Sequence, residues 1–82
     1  MWLARVHVTL KPVVLDPQGQ AIHGGLRTLG FDTVQSVRAG KYLEIKLEAP
    51  DRREAERLVN DMCLKLLANP VIEEYRLEVS EV

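Results

Sequence analysis

The sequence MCLKLLANPVIEEY, residues 62–75, passes from a leucine-rich helical pattern to a strand pattern with no linker between them. A proline restricts the residue before it to an extended backbone, so Pro70 predicts that the helix ends near Ala68. Pro70 itself is acceptable as the first residue of a strand, where no ladder donor is required. The junction therefore predicts a helix that packs directly on one strand of a sheet. It also places the polar side chain of Asn69 at a corner that a partner could contact.

A strand pattern opens the chain at residues 2–10, where alternation predicts one buried face made of Ala4, Val6, Val8 and Leu10. Asp16 and Pro17 fit the N-cap and the first position of a helix. This first helix is predicted to end near Leu29, with Gly30 in a left-handed turn after it. Its buried stripe is expected to be Ile22, Leu26 and Leu29.

Two glycines, Gly24 and Gly25, lie inside this predicted helix. Each interior glycine costs about 1 kcal/mol of helix stability relative to alanine. Close packing of the helix backbone against the sheet is the expected reason for them. The approach of a ligand is the alternative.

Residues 34–39 and 41–49 predict either two strands joined at Gly40 or one long strand bent there. A second helix is predicted to begin at Asp51, which has capping-box spacing to Glu54. Its core stripe is expected to be Ala55, Leu58, Val59, Met62 and Leu66. A last strand over residues 71–79 should turn inward Val71, Tyr75, Leu77 and Val79. Glu73 has the same parity, so it is expected near a sheet end or beside a cation.

The order β-α-β-β-α-β predicts a single α+β domain over residues 1–82 with a ferredoxin-like fold. In this two-layer sandwich both helices cover one face of an antiparallel sheet, and the first and third strands are central. The other face is polar and is expected to be either solvated or a subunit contact.

The composition excludes several classes of function. The 82 residues carry a net charge of −1, so nothing attracts the chain to nucleic acid or to anionic lipid. No apolar run approaches the roughly 18 residues of a membrane span. One cysteine and two histidines provide neither a disulfide nor a metal site. Because so short a chain buries a small core, we expect it to self-associate, and we expect it in a reducing cytoplasm.

No constellation of catalytic residues is recognisable. Cys63 lies beside the buried stripe of the second helix, where a free thiol usually packs as a small apolar group. His7 and His23 have no nucleophile at a suitable spacing, and Glu73 and Glu74 point to opposite faces of a strand. We therefore expect no catalytic, cofactor-binding or metal-binding residue in this chain.

The residues alone are compatible with two binding functions. Leu64 is predicted to point away from the core and, with Asn69 and Pro70, could form a patch for a subunit contact. The alternative is a stand-alone ferredoxin-like regulatory dimer that binds an amino acid or a nucleotide at residues 14–19. RNA binding is not favoured, since Tyr42 is the only aromatic residue expected on the open sheet face.

Several segments, in this order, resemble the PurS family, the small subunits of bacterial and archaeal phosphoribosylformylglycinamidine synthase. They are Val8-Thr9-Leu10-Lys11, Leu15-Asp16-Pro17-Gln18-Gly19, Gly40-Lys41-Tyr42 and Met62-Cys63 through Asn69-Pro70-Val71-Ile72-Glu73. The resemblance covers essentially the whole chain. Gly24 and Gly25 depart from it, because better helix formers are expected there.

The resemblance implies a non-catalytic subunit of a glutamine-dependent ligase in purine biosynthesis. That enzyme converts formylglycinamide ribonucleotide, glutamine and ATP to formylglycinamidine ribonucleotide, glutamate, ADP and phosphate. The implied partners are a large synthetase subunit, which uses ATP and magnesium, a glutaminase subunit, and a second copy in a homodimer or a tetramer. The small subunit bridges the other two and assists ammonia transfer. The implied partner contacts, for which turn and cap chemistry is the alternative role, are Asp16, Pro17, Gln18, Gly19, Gly40, Lys41, Asn69 and Pro70.

Overall fold

The computed structural model describes all 82 residues. The elements, in chain order, are β1 (Trp2–Leu10), α1 (Pro17–Thr28), β2 (Gly40–Leu47), α2 (Arg52–Met62), a π-helical turn (Cys63–Leu67) and β3 (Glu73–Glu81). The three strands form an antiparallel sheet in the order β2-β1-β3. The predicted α+β ferredoxin-like fold is confirmed in this three-stranded form, but β1 alone is central, and the predicted third strand, observed as β2, lies at an edge.

Both predicted forms of residues 34–39, a separate strand and the first half of one long bent strand, were wrong. The only strand in this part of the chain is β2, which begins at Gly40. Residues 34–39 instead run back along α1. His23 Nε2 donates to the carbonyl oxygen of Val34 over 2.9 Å, and Ala39 N donates to Asp16 Oδ2 over 2.8 Å. Because these groups are satisfied by the α1 region, the outer edge of β2 stays unpaired.

The core lies between the sheet and α2. It consists of the small apolar residues Ala4, Val6, Val8, Ala55, Val59, Cys63, Ala68 and Val79. Asp51 Oδ1 accepts from Glu54 N over 2.8 Å, which confirms the predicted cap of α2. The predicted position of Cys63 is also confirmed, since this side chain is fully buried in the core.

The π-helical turn corrects the predicted stripe of the second helix. Ala68 N donates to the carbonyl oxygen of Cys63 over 3.0 Å, five residues back. Because a π turn contains one residue more than an α turn, the side chains after it rotate relative to the α-helical pattern. Leu66 is consequently 83% exposed, and Leu67 packs against the core in its place. The helix ends at Leu67, and Ala68 is extended, close to the predicted end.

The last strand begins two residues later than predicted. Asn69–Ile72 form a turn, in which Ile72 N and Glu73 N donate to the carbonyl oxygen of Asn69 over 3.2 and 2.7 Å. Pro70 is therefore a turn residue and not the first strand residue, and Val71 is exposed and not inward. Glu73 is the first residue of β3, which confirms its place at a sheet end.

α1 and its flanking segments form an arm, residues 11–39, that extends away from the sheet. The chain measures 50 × 27 × 14 Å, and α2 packs on β1 and β3, whereas α1 has few contacts with any strand. The predicted burial of the α1 stripe was wrong, since Ile22 is 44% and Leu29 74% exposed. Close packing at Gly24 and Gly25 was also wrong, because a Cβ at either would meet nothing within 4 Å. Gly30 has φ +96°, as predicted for the turn after the helix.

Candidate functional site

Asp16 joins the arm to the start of β2. Its Oδ1 accepts from Gly19 N over 2.9 Å, which caps α1 as predicted, and its Oδ2 accepts from Ala39 N over 2.8 Å. Hydrogen bonds from the Gly19 and Ala39 amides hold the pKa of the Asp16 carboxyl below its ordinary value, and the nearby Arg38 acts in the same direction. Asp16 therefore has a structural role whether or not a partner contacts it.

Two of the predicted contact residues are glycines because the backbone passes close to them. A Cβ at Gly19 would lie 2.5 Å from Asp16 Oδ2 and closer still to the carbonyl oxygen of Val37. A Cβ at Gly40 would lie 2.8 Å from Thr9 Cγ2 and would overlap the carbonyl oxygen of Val8. Neighbouring backbone lies close to both positions, so each glycine has a structural role whether or not a partner contacts it.

Four of the predicted contact residues meet in one depression, the sheet-end cleft, of about 310 Å³. It lies where β1 ends and β2 begins, and its lining includes Asp16, Gln18, Gly40 and Lys41 together with Glu73. Gln18 and Lys41 are exposed there. Segments 24 residues apart in sequence are thus brought to a single surface by the hydrogen bond between Asp16 and Ala39.

Asn69 lies beside this cleft through its contact with Glu73. Asn69 N donates to Glu73 Oε1 over 2.7 Å, and Asn69 Oδ1 accepts from Val71 N over 3.0 Å. The side chain therefore builds the corner between the π turn and β3, although it stays exposed. Pro70, next in the chain, is exposed as well.

Leu64 does not belong to the cleft. It is 50% exposed on the π turn, as its predicted direction away from the core requires. The neighbouring Cys63 is fully buried, and burial raises the pKa of its thiol, which disfavours the reactive thiolate.

No group of three or more His, Cys, Asp or Glu side chains is arranged to hold a metal ion. No helix has the length and apolar character needed to cross a membrane.

Arg38 is the residue of this region that the sequence analysis missed. Its guanidinium donates to the carbonyl oxygen of Leu10 and lies 3.5 Å from Glu74 Oε1. It thereby fastens the base of the arm to β1 and β3. The sequence placed Arg38 in a predicted strand, where its side chain would point to one face of the sheet. This role was therefore not predicted.

The open sheet face carries the polar residues predicted for it. The rings of His7 and Tyr42 lie 4.9 Å apart between centroids, and Tyr42 OH donates to Glu44 Oε2 over 2.9 Å. Burial, followed by the Glu44 carboxylate, raises the pKa of the Tyr42 hydroxyl. Arg5 Nη1 donates to Ser80 Oγ over 3.0 Å across β1 and β3. The Arg5–Ser80 contact joins two strands, whereas the Tyr42–Glu44 contact lies within β2.

This chain is similar in sequence to proteins of one family. The family described as "PurS: Phosphoribosylformylglycinamidine (FGAM) synthase" matches residues 3–81. The Bacillus subtilis protein described as phosphoribosylformylglycinamidine synthase subunit PurS is 51% identical over 82 residues, which are 100% of this chain and 96% of the relative. The Synechocystis protein of the same description is 53% identical over 76 residues, 93% of this chain and 76% of the relative.

Solved structures agree with the sequence relatives. Methanocaldococcus jannaschii PurS, described as one of the subunits of formylglycinamide ribonucleotide amidotransferase in the purine biosynthetic pathway, is similar with a TM-score of 0.91 and 39% identity. The similarity covers 100% of this chain and 99% of that one. A chain in the structure of PurLQS from Thermotoga maritima is similar with a TM-score of 0.86 and 31% identity, over 98% and 99% of the two chains. This chain belongs to the PurS family of phosphoribosylformylglycinamidine synthase subunits.

Proposed function

We propose that this chain is the small, non-catalytic subunit of phosphoribosylformylglycinamidine synthase in purine biosynthesis. The observation that carries the proposal is the family match over residues 3–81, together with the similarity to a chain in the PurLQS structure. The enzyme would be a cytoplasmic, glutamine-dependent ligase that consumes ATP. ATP and magnesium would bind to the large synthetase subunit, while this chain would bind no cofactor.

The physical task proposed for the chain is to hold the glutaminase and synthetase subunits together as a homodimer. Ammonia released by the glutaminase must reach the synthetase before it is protonated, because ammonium has no free electron pair for attack. A bridging subunit that keeps the two surfaces in register and excludes water favours this transfer. The burial of Cys63, which serves packing in the core, is consistent with a contribution through shape alone.

The sheet-end cleft is the surface that we assign to the partner contacts. Asp16, Gly19 and Gly40 hold the backbone there, as their contacts require. The exposed side chains near them, which remain free to contact a partner, are Pro17, Gln18, Lys41 and Pro70. Leu64 would belong to a separate contact on the π turn. Some residues of the site thus fix its backbone, and others offer exposed side chains to a partner.

Reconstitution with the synthetase and glutaminase subunits tests this assignment. Lys41→Ala should lower glutamine-dependent turnover about fivefold or more, as expected for loss of an interface residue worth about 1 kcal/mol. Turnover with added ammonia should change little, because free ammonia bypasses the transfer. Asn69→Ala should act in the same direction, and thermal unfolding of this variant separates a lost contact from a loosened corner.

Lys46→Ala is the matched control, since Lys46 is exposed on the same strand at its opposite end, where β2 pairs with Leu3. This variant should assemble and turn over normally. Normal assembly and glutamine-dependent rates in both Lys41→Ala and Asn69→Ala would show that the cleft is not the interface. Equal glutamine-dependent rates with this chain omitted would refute the proposed function itself.

The stand-alone regulatory dimer remains the alternative function. A groove of about 580 Å³ runs beside residues 13–16, with His23 and Arg38 in its lining. Calorimetry of the isolated chain with amino acids and nucleotides distinguishes the two functions. Binding of one of them at micromolar concentrations, with no effect of the chain on the synthetase, would favour regulation.

A further inference from the structure

The open sheet face has a small pocket at one end, the open-face pocket, which the proposed function does not use. Its volume is about 340 Å³, and its lining residues are His7, Thr9, Arg38, Glu74, Tyr75 and Arg76. Small-molecule sites occupy about 300 to 1,000 Å³, so this pocket suits a compact ligand. Only one of the six lining residues is hydrophobic, which indicates that the ligand is polar.

Strand pairing brings four polar side chains of the pocket together. His7 and Arg76 are direct partners in the register of β1 and β3, and Thr9 and Glu74 are the next pair on the same face. The Cβ atoms of opposite residues in antiparallel strands are about 4.5 to 5.5 Å apart, so all four side chains can reach one small group. Arg38 approaches the same place from the arm, where its Nη2 lies 3.5 Å from Glu74 Oε1.

Three of these polar side chains have no hydrogen-bond partner within the chain. The His7 ring and the Thr9 hydroxyl make no hydrogen bond, and Arg76 makes neither a hydrogen bond nor an ion pair. His7 and Thr9 are half-buried, so water reaches them from one side only. A guanidinium can only donate hydrogen bonds, and the hydroxyl and the ring N–H can donate as well. The pocket therefore favours a ligand that accepts several hydrogen bonds.

Arg38 is held in place by the chain itself. Its Nη2 donates to the carbonyl oxygen of Leu10 and faces the Glu74 carboxylate, so both of its contacts use one nitrogen. The guanidinium has five N–H donors, and those on its other two nitrogens stay available. Because the position of Arg38 is already fixed, a ligand bound to it loses little affinity to the ordering of this side chain.

The charge of the pocket selects an anion. The guanidinium groups of Arg38 and Arg76 face the single carboxylate of Glu74, which leaves an excess of one positive charge. Arginine binds phosphate and carboxylate oxygens with two parallel hydrogen bonds. A phosphate group has oxygens enough to accept from both arginines and from the strand residues between them, whereas a carboxylate has only two.

We propose that the open-face pocket binds a phosphate group, either as inorganic phosphate or as the monoester of a small metabolite. Arg38 and Arg76 donate to its oxygens from two sides, and Thr9 and His7 donate from the sheet below. Glu74 opposes the bound charge and limits the affinity. The inference goes beyond the bridging function and does not depend on it, so its failure leaves the proposed function standing.

The two histidines provide the readout, since His7 lies in the pocket and His23 lies in the arm, bound to the carbonyl oxygen of Val34. The full-length chain is titrated with inorganic phosphate and, separately, with ribose 5-phosphate, at fixed pH and at an ionic strength held constant with chloride. Nuclear magnetic resonance follows both imidazole rings. We expect the His7 signal to shift and saturate with a dissociation constant of about 1 mM or tighter, while the His23 signal stays in place. Saturation with either probe supports the site, and the tighter probe identifies the form of phosphate that it takes. A His7 shift that never saturates with either probe, or a shift confined to His23, overturns the proposal.

Substitutions of Arg76 and Glu74 should change the affinity for phosphate in opposite directions. Arg76→Gln should raise the dissociation constant about tenfold or more, because it removes a charged pair of donors. Glu74→Gln should lower it about two- to fivefold, because it removes the opposing charge, and misfolding cannot produce such a gain. Arg53→Gln is the matched control, since Arg53 is exposed at the start of α2, on the other side of the sheet. It should leave the dissociation constant within about twofold, because so distant a charge is screened. Equal effects of Arg76→Gln and Arg53→Gln, or weaker binding by Glu74→Gln, overturn the proposal.

Discussion

Alanine in place of Gly24 and in place of Gly19 should have opposite effects on stability, although both glycines belong to α1. A Cβ at Gly24 meets nothing within 4 Å, so the substitution should only restore helix propensity, about 1 kcal/mol. A Cβ at Gly19 would lie 2.5 Å from Asp16 Oδ2, whereas ordinary contact begins at 3.4 Å. Forcing an overlap of this size costs about 1 to 3 kcal/mol, more than the propensity gained.

Both variants gain the helix propensity and only Gly19→Ala has the overlap, so the two should differ by about 1 to 3 kcal/mol in the free energy of unfolding. In a domain of this size 1 kcal/mol moves the melting midpoint by about 4 to 8 °C, so Gly24→Ala should melt above the wild type and Gly19→Ala below it. Urea unfolding at one fixed protein concentration provides the measurement, because self-association makes the midpoint concentration-dependent. Circular dichroism reports the helices and the fluorescence of Trp2 reports the sheet. A Gly19→Ala variant as stable as Gly24→Ala would refute the close approach of Gly19 to Val37.

Two further predictions concern the pH dependence of stability and the register of the π turn. Hydrogen bonds from the Gly19 amide, and next from the Ala39 amide, lower the pKa of Asp16 in the folded state. The stabilisation that Asp16 contributes is therefore complete above its unfolded pKa of about 3.9 and is lost as the pH falls through its folded pKa. Asp16→Asn should be less stable than the wild type at pH 7 and should lose less stability on acidification, and an identical acid decline in urea titrations would contradict this. Leu67→Ala should cost about 1 to 2 kcal/mol and Leu66→Ala no more than about 0.5 kcal/mol in urea unfolding, because only Leu67 packs on the core. The reverse order would show that the helix continues with α-helical spacing through Cys63.

Local sequence patterns were sufficient to predict the features that depend on residues close in sequence. Asp16, Asp51 and Gly30 act through hydrogen bonds or dihedral angles within a few residues, and each occurs as predicted. Alternation in β1 likewise identified its buried face, because successive side chains of a strand point to opposite faces of the sheet. The Asn69-Pro70 junction placed the end of the second helix within a residue.

Features that depend on distant contacts were not accessible from the sequence. Residues 34–39 are strand-like, but Asp16 and His23 engage their backbone, so tertiary hydrogen bonds prevail over β propensity. The α-helical spacing pointed to Leu66, and nothing in the residues 63–67 indicated the extra residue of the π turn. Of the candidate site, the pattern identified Gln18 and Lys41 separately, whereas their meeting in one cleft required the fold.

The central position of β1 has a consequence for how the polypeptide acquires its shape. β1 is synthesised before β2 and β3, yet it pairs with β3, the strand most distant from it in sequence, through Trp2↔Glu81 and the neighbouring pairs. Closing so long a loop is entropically costly and slows folding. Until β3 pairs with β1, one hydrogen-bonding edge of β1 in the β1–β2 pair stays open to other strands. The nascent chain is thus most vulnerable to aggregation just before its last segment joins.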